Sequence, residues 1–364
     1  MLKASHSHAA RAKKLNRICN DCLCLKPPPA MLILGIESSC DDAAAAVVET
    51  MRAGVATVRA SAVANQDDIH RAYGGIVPEL ASRDHVITLL PVVQRALLSA
   101  GVSLDEIGGI AVTRGPGLVG SLLVGLMCAK GIAQATGIPM VGVNHIEGHL
   151  LAPLLENEIA MPYLALVVSG GHTALFSVED YGRYRKIGST RDDAAGEAFD
   201  KVAKLMGLGY PGGKLIDDLA KHGNRRSVRI PRARVKGAPL DFSFSGVKTA
   251  VASFLRSHAA RATRTEDLAA SFQEAIVDML VAPTLAAARE IGASVIALTG
   301  GVAANSRLRE CLTAAAADEG FKVIAPSLRY CTDNAAMIAL AGGWRLLQGG
   351  RDDLTIDAAA NLPL

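Results

Sequence analysis

Two histidines four residues apart, His145 and His149, stand in the run Asn144-His145-Ile146-Glu147-Gly148-His149. On a helix such a pair leaves one face together, close enough to grip one metal ion. Glu147 comes two residues after His145 and points elsewhere. In the zinc-peptidase pattern a glutamate directly follows the first histidine, where it acts on metal-bound water. Ile146 holds that place here, so a peptidase reading lacks its general base. A histidine pair at this spacing also serves purely structural ends, and the pair alone does not decide between the two.

Two glycine-bearing stretches could hold a phosphate. In Val167-Val168-Ser169-Gly170-Gly171-His172-Thr173 adjacent glycines sit at a hairpin tip, where bare N–H groups can cradle an anion. In Leu298-Thr299-Gly300-Gly301-Val302-Ala303-Ala304-Asn305 a strand ends in two glycines that open onto a helix, whose positive end favours a nucleotide phosphate. A tight turn and an ordinary β–α turn explain the same residues. Neither stretch is a GxxxxGK[ST] loop or a GxGxxG turn.

Acids complete the set. Glu37, Asp41 and Asp42 fall at the turn of the first hairpin, and Asp333 follows Cys331-Thr332 before the terminal helix. Asp192, Asp193, Glu197 and Asp200 line a helix start, where Asp192 and Asp193 are expected as caps. Asp200 is too far along to cap that helix. It shares a face with Asp193 and could bind ribose hydroxyls beside a nucleotide. Residues 221–236 hold seven Lys/Arg and no acid, the best candidate for phosphate-backbone contact. A solvated loop accounts for them as well, and no aromatic is interleaved for base stacking.

Elements must position these groups. Residues 31–48 and 163–178 each read as two apolar runs around a small polar turn, two hairpins on one plan, as an ancient duplication would leave. Residues 110–113, 140–143 and 295–298 read as buried strands, and 120–136 and 193–206 as helices. Residues 266–291 form a long amphipathic helical region interrupted near Pro283, and residues 334–347 a terminal helix packing back on the first lobe. The alternation predicts an α/β protein with mixed sheets covered by helices.

The 364 residues suit two packed lobes better than one small core. A net charge of +3 is nearly balanced, so any nucleic-acid contact must come from local patches. The strongest apolar run, residues 118–129, stops at Lys130 and is shorter than the roughly 20 residues a bilayer helix needs, so no membrane is expected. Seven scattered cysteines fit reduced thiols in a cytosol-like compartment. Residues 1–30 are basic and end in Pro27-Pro28-Pro29-Ala30, which reads as a tail, a mistaken upstream start or an organelle presequence. Cys19, Cys22 and Cys24 within it lack a second cysteine pair and read as unpaired thiols rather than metal ligands.

Taken together, the motifs resemble the TsaD-type family of tRNA N6-adenosine threonylcarbamoyltransferases. The matching stretches are LGIESSCDDAAAAV, YGGIVPELASRDH, VTRGPGLVGSLLVGL, NHIEGHLLAP, VVSGGHT, DDAAGEAFDKVAKLMGLGYPGG, FSFSGVKTAV, TGGVAANSRLR and CTDNAAMIALAG, in order from about residue 31 to 343. The resemblance implies a two-lobed actin-like, sugar-kinase (ASKHA) fold with duplicated RNase H-like lobes and the active site between them. The lobes would be residues 31–150 and 151–333, with 334–350 packing back on the first and 351–364 as a tail. By the family pattern His145, His149 and Asp333 would hold one divalent metal, iron or zinc. Val167, Val168, Ser169, Gly170, Gly171, Asp200, Gly213, Asp217 and Asn305 would bind an adenine nucleotide, the threonylcarbamoyl-adenylate (threonylcarbamoyl-AMP) donor. Asp41 or Asp42 would accept the proton of the attacking amine. Many bacterial members carry Glu where this chain has Asp42, which leaves that role open.

The implied partners are tRNA, an inactive paralogue with a small P-loop ATPase in a bacterial setting, or a second copy in a mitochondrial one. The implied compartment is the cytoplasm, or the mitochondrion if residues 1–30 are a presequence. Rival readings are a metallopeptidase, an actin-fold kinase or ATPase acting on a small molecule, and a nucleotide-gated scaffold without catalysis.

Overall fold

The computed structural model of the protein describes residues 30–50 and 56–364. The basic segment before residue 30 and its three cysteines lie outside them.

The first sheet is built from β1 (Met31–Glu37), β2 (Ala43–Thr50), β3 (Ala56–Ala64), β4 (Gly109–Gly115) and β5 (Met140–Asn144), in the order β3-β2-β1-β4-β5. β1 to β3 form an antiparallel meander, and β4 and β5 run parallel to β1. The second sheet has β6 (Tyr163–Val168), β7 (Thr173–Asp180), β8 (Arg183–Ser189), β9 (Val295–Thr299) and β10 (Lys322–Ile324), in the order β10-β9-β6-β7-β8. Its pairing directions repeat those of the first. Two mixed sheets of one topology agree with the two-lobed, duplicated α/β plan.

Strand alternation decides what covers each face. In β1 and β2, Ile33, Ala44, Ala46 and Val48 enter one core, while Leu34, Ile36, Ala43, Ala45 and Val47 enter another. A strand apolar on both faces must be buried on both. One face is covered by α2 (Pro78–Ala100) and α3 (Val119–Thr136), which come after a short α1 (Asp67–Arg71). The other is covered by α11 (Ala335–Leu347), which returns from the chain's far end and packs on β1, β2, β4 and β5. In the second lobe α5 (Ala195–Leu205), α6 (Gly212–Ala220), α7 (Ser245–Leu255) and α8 (Thr265–Ile291) cover one face with a Phe-rich core. The opposite face, with Tyr163, Ala165, Val167, Ala174 and Phe176, receives Ile146 and Leu150 of α4 (His145–Leu151). α9 (Ser306–Asp318) and the short α10 (Leu328–Cys331) complete the lobe.

Three expectations change. The 265–291 region is one continuous helix with Pro283 inside it. Proline removes one backbone bond from a helix interior, but fifteen buried side chains hold α8 in the core on both sides of it. The helix read over 120–136 is there as α3, but its apolar stretch does not stop at Lys130, whose ammonium donates to the Ile356 carbonyl at 2.5 Å. α3 and α8 are therefore each long and apolar enough to cross a membrane by length and composition, yet α8 is largely buried inside the protein and α3 packs along α2 and β4. Residues 351–364 are not a loose tail. Asp352 N–H donates to the Met140 carbonyl at 2.9 Å, Asp352 Oδ2 accepts from Gly142 N–H at 2.8 Å, and Ala359 N–H donates to the Arg114 carbonyl at 2.8 Å. Asn144 Nδ2 reaches the Leu362 and Pro363 carbonyls at 3.3 and 3.2 Å, so the segment straps the edge of β5.

The seat of α11 on β1 requires Gly35. A Cβ there would lie 2.2 Å from the Ala335 carbonyl oxygen and 2.9 Å from Ala339 Cβ. Gly35→Ala is expected to cost about 1–3 kcal/mol through overpacking, read as a lowered midpoint in chemical denaturation. A midpoint equal to wild type would show that α11 is not pressed on β1 as described.

Candidate metal and nucleotide site

Asn144 ends β5 and caps α4, its side-chain oxygen accepting the Ile146 N–H at 2.9 Å. That cap starts the helix at His145 and fixes which way its stripes face. All seven residues of α4 are buried. Ile146 and Leu150 go to the second sheet, while His145 and His149 turn together, ring centroids 4.7 Å apart, toward the loop before α11. Asp333 sits in that loop, with Oδ1 3.1 Å from His149 Nε2 and 3.5 Å from His145 Nε2. One donor atom from each of the three side chains lies within 4.8 Å of the other two. The sequence-predicted triad thus converges, although 184 residues separate its last two members.

A fourth residue sets the triad's protonation. Glu37, last in β1, is fully buried and meets His145 Nδ1 at 2.9 Å. Its carboxylate also accepts the Thr113 hydroxyl at 2.6 Å and the Ser39 N–H at 2.5 Å. Burial alone would raise Glu37, but His145 and Thr113 hold it below the usual carboxylate range. Burial opposes charge on His145, yet Asp333 and Glu37 push its pKa up to about 9. Asp333 is held far below the ordinary value against its own burial, chiefly by the His145 and His149 rings. With Nδ1–H given to Glu37, His145 presents Nε2 toward Asp333, the tautomer a metal ligand needs. Two imidazole nitrogens and one carboxylate form a donor set that fits a borderline divalent cation with a position left open. Among the described residues His149 Nδ1 has no hydrogen-bond partner, whereas the His145 ring is oriented from behind by Glu37.

The triad has neighbours on both sides of the cleft. His172, in the 169–173 turn, has its ring 6.4 Å from that of His145. Burial and the nearby His145 and His149 lower it to about 4, which keeps it neutral. On the other side Asp41 and Asp42 come at the β1–β2 turn. Burial raises both, and the charges of Asp333 and Asp41 help carry Asp42 to about 8.

The glycine loops come together as well. Gly300 has φ +93°, and a Cβ there would lie 2.3 Å from the Val168 carbonyl oxygen, so the ends of β6 and β9 touch. Gly170 and Gly171 are exposed and open around their Cα atoms. Asn305 caps α9, accepting Leu308 N–H at 2.9 Å, and its amide donates to Gln273 Oε1 at 2.8 Å. Asp217 takes the Ser306 hydroxyl at 2.8 Å and N–H at 3.2 Å. Gly213 lies in the first turn of α6 with open space beside it.

One reading of the acids needs correction. Asp192 and Asp193 do not cap α5, whose N-cap position is Ala194. Asp192 reaches across to the start of α7, accepting the Phe244 N–H at 2.7 Å and the Ser245 hydroxyl at 2.7 Å, while Asp193 pairs with Lys201 and Lys248. Asp200 is too deep to cap its own helix, but it serves the next one: Oδ1 accepts the Gly212 N–H at 2.8 Å at the start of α6. Spacing along one helix cannot reveal a cap supplied across a turn. Glu37, His172 and Thr113 were not assigned to the site from the sequence. The readable sign of Glu37 was an acid closing an otherwise apolar strand. Nothing local marked Thr113. Glu147 points away from the triad to Arg345 and Tyr184. Within 221–236, Lys221, Arg225 and Arg232 each lie beside an acid, while Arg226, Arg229, Arg234 and Lys236 are exposed.

Comparison with known proteins fits this arrangement. The family profile for tRNA N6-adenosine threonylcarbamoyltransferase (TsaD) matches residues 57–340. A curated protein of that name from Anaeromyxobacter dehalogenans is 55% identical over 335 residues, 91% of this chain and 99% of its own. One from Syntrophotalea carbinolica is 53% identical over 336 residues, 92% of this chain and 97% of its own. Among solved structures, full-length HypF in a phosphate- and nucleotide-bound form superposes with a TM-score of 0.58 at 13% identity, covering 89% of this chain and 47% of that one. The activator of 2-hydroxyisocaproyl-CoA dehydratase from Clostridium difficile gives 0.50 at 15% identity, covering 90% and 100%. At such identities the structural likenesses speak for the fold alone.

The Glu37–His145 contact has a measurable consequence. In chelator-treated protein the His145 ring should keep its proton to about pH 9. Glu37→Gln removes one of the two charges holding it and is expected to lower that titration, as followed by NMR of the imidazole. An unchanged titration would show that Glu37 does not govern the ring.

Proposed function

Because the chain belongs to the family of tRNA N6-adenosine threonylcarbamoyltransferases, we propose that it moves a threonylcarbamoyl group from threonylcarbamoyl-adenylate to N6 of the adenosine next after the anticodon, in tRNAs reading codons that begin with A. The observation that carries this reading is the convergence of His145, His149 and Asp333 between the Asp41–Asp42 turn and the Ser169–His172 turn. His145, His149 and Asp333 would hold one iron or zinc ion. Such an ion, when bound, supplies Lewis acidity toward the donor's oxygens.

The chain's own groups do the rest. The exocyclic amine of adenine is a poor nucleophile because its lone pair is delocalised into the ring, so the gain must come from an activated donor, placement and charge. The open N–H groups around Gly170 and Gly171 face the phosphate of the adenylate, and Asp200, Gly213 and Asn305 its nucleoside. Asp200, held by the Gly212 N–H, would turn its carboxylate to a ribose hydroxyl. Both oxygens of Asp217 contact Ser306, so its part is to hold the Asn305 loop. Asp42, raised to about 8, suits a group that takes the amine proton near neutral pH. The free cations of 221–236 offer tRNA phosphates a contact. The peptidase alternative is disfavoured, since Glu147 is tied to Arg345 and Tyr184.

For a working partner, the inactive paralogue or a second copy, the first lobe offers an apolar face. Val86, Ile87 and Leu90 of α2 and Val119, Leu123 and Met127 of α3 are exposed side by side, Ile87 by 73%. A contiguous patch of this kind marks an interaction surface. Ile87→Glu with Met127→Glu is expected to abolish assembly in light scattering and to leave the fold intact by circular dichroism. Assembly that survives both changes would place the partner elsewhere.

The activity is tested with purified protein, threonine, bicarbonate, ATP, the donor-forming enzyme and unmodified tRNA, with and without the partner proteins, reading the modified nucleoside by mass spectrometry. Asp333→Asn should lose both the product and cation binding. Since His145 holds a proton to about 9 in the cation-free site, cation uptake should tighten by about tenfold per pH unit from 7 to 9. Product formed at the wild-type rate by Asp333→Asn would end this reading.

A further inference from the structure

Three polar side chains, Gln66, His70 and His85, are buried to 1% exposure or less in the first lobe, away from the imidazole triad. They form one chain of hydrogen bonds. Gln66 precedes α1, with His70 on α1 and His85 on α2. The Gln66 amide donates to the Ala81 carbonyl at 3.3 Å and to His85 Nδ1 at 3.2 Å. Its Oε1 accepts from His70 Nε2 at 3.1 Å, and His70 Nδ1 accepts the Val77 N–H at 3.3 Å. His85 Nε2 then donates to the Cys40 carbonyl at 2.8 Å.

The directions in this chain are forced. An amide N–H toward His85 Nδ1 makes that nitrogen the acceptor, so the ring's single proton sits on Nε2 and must be given to Cys40. The Val77 N–H does the same for His70, whose Nε2–H is then aimed at Gln66. Each donor meets an acceptor with both rings neutral. Leaving any of these buried groups unpaired would cost free energy. The network is not confined to the helices that carry it. It leaves α1 and α2 and ends on a single atom of the β1–β2 turn.

That atom matters because the two aspartates come directly after it in the chain. The Cys40 carbonyl and the Asp41 N–H belong to one rigid peptide plane. Fixing the carbonyl fixes the plane, and with it the direction in which Asp41 and then Asp42 leave the turn. The rest of the turn is already clamped from the other side, with Ser38 Oγ donating to the Ser121 carbonyl at 2.9 Å and the Leu118 N–H to the Ser39 carbonyl at 2.8 Å. We propose that His85, oriented by Gln66 and His70, is a positioning residue for transfer: it holds the Cys40–Asp41 peptide so that the two aspartates face the triad. This rests on the reading that Asp41 or Asp42 handles the amine proton.

The test compares three replacements in the full chain with its partners. His85→Gln places an amide N–H where Nε2 stood and can still reach Cys40. His85→Asn is shorter, reaches Gln66 and not Cys40, and His85→Leu does neither. Expected is a kcat near wild type for His85→Gln and a fall on the order of tenfold to a hundredfold for His85→Asn and His85→Leu, with KM for tRNA and donor unchanged. Should His85→Leu fail to fold, the Asn–Gln pair still decides. Equal activity of His85→Asn and His85→Gln, or a loss confined to KM, overturns the proposal. Asp41→Ala and Asp42→Ala are run alongside. Full activity in both sinks the reading of the turn itself, whereas loss in either of them with a fully active His85→Asn sinks only the role of His85.

Discussion

A fully buried carboxylate at the end of β1 governs the site. Glu37 is fully inside the protein, where an unpaired charge would be prohibitively costly. It is tolerated because three groups from three parts of the first lobe converge on it: the His145 ring from α4, the Thr113 hydroxyl from β4, and the Ser39 N–H from the β1–β2 turn. The same contacts that settle Glu37 settle everything beside it. They hold the proton of His145 on Nδ1, direct Nε2 toward Asp333, and tie the turn that leads to Asp41 and Asp42 to the helix that carries the histidines.

Around that interaction the fold is duplicated. Each lobe repeats the strand order 3-2-1-4-5 of its own sheet, and both hairpins bring their turns to the joint. α4 is the piece shared between the lobes. Adjacent stripes of one short helix serve two purposes, Ile146 and Leu150 sealing the second sheet while His145 and His149 face the cleft. Gly148 lets α11 come close, since a Cβ there would lie 2.9 Å from both Met337 and Ile338 side chains. Arg345 of α11 then donates to the Gly142 carbonyl at 2.9 Å and pairs with Glu147 at 2.5 Å. The helix that begins just after Asp333 is thereby locked to the helix that carries its partners.

Charge is graded across the cleft by the same means. His145 is pushed toward the cationic form by two carboxylates, while His172, 6.4 Å away, is pushed toward the neutral form by burial and by that very imidazole. Asp41 and Asp42 rise because burial and neighbouring carboxylates oppose their charge. Groups of the same chemical type thus sit at opposite ends of their range within one small volume, which is how a site obtains a proton acceptor and a set of fixed charges near neutral pH.

The sequence by itself determined the parts that are local. Continuous apolar runs around small turns specify hairpins, so β1–β2 and β6–β7 were legible, as was the helix that places His145 and His149 on one face. The ordered motifs identified the family, and through it Asp333 was joined to the histidines. Features that depend on contacts between distant segments were not legible. A buried acid closing a strand looks like a turn residue until His145 is known to meet it. Asp192 looks like a local cap, and Asp200 like an acid open to a ligand, until the starts of α7 and α6 are folded onto them. Pro283 reads as a break because only the surrounding core shows why the helix continues. The last residues read as a tail because their bonds to Met140, Gly142 and Asn144 form only once β5 is an edge. Periodicity and capping act over a few residues, whereas the partners of a buried polar group are chosen by whichever chain segments the packed core brings within hydrogen-bonding reach.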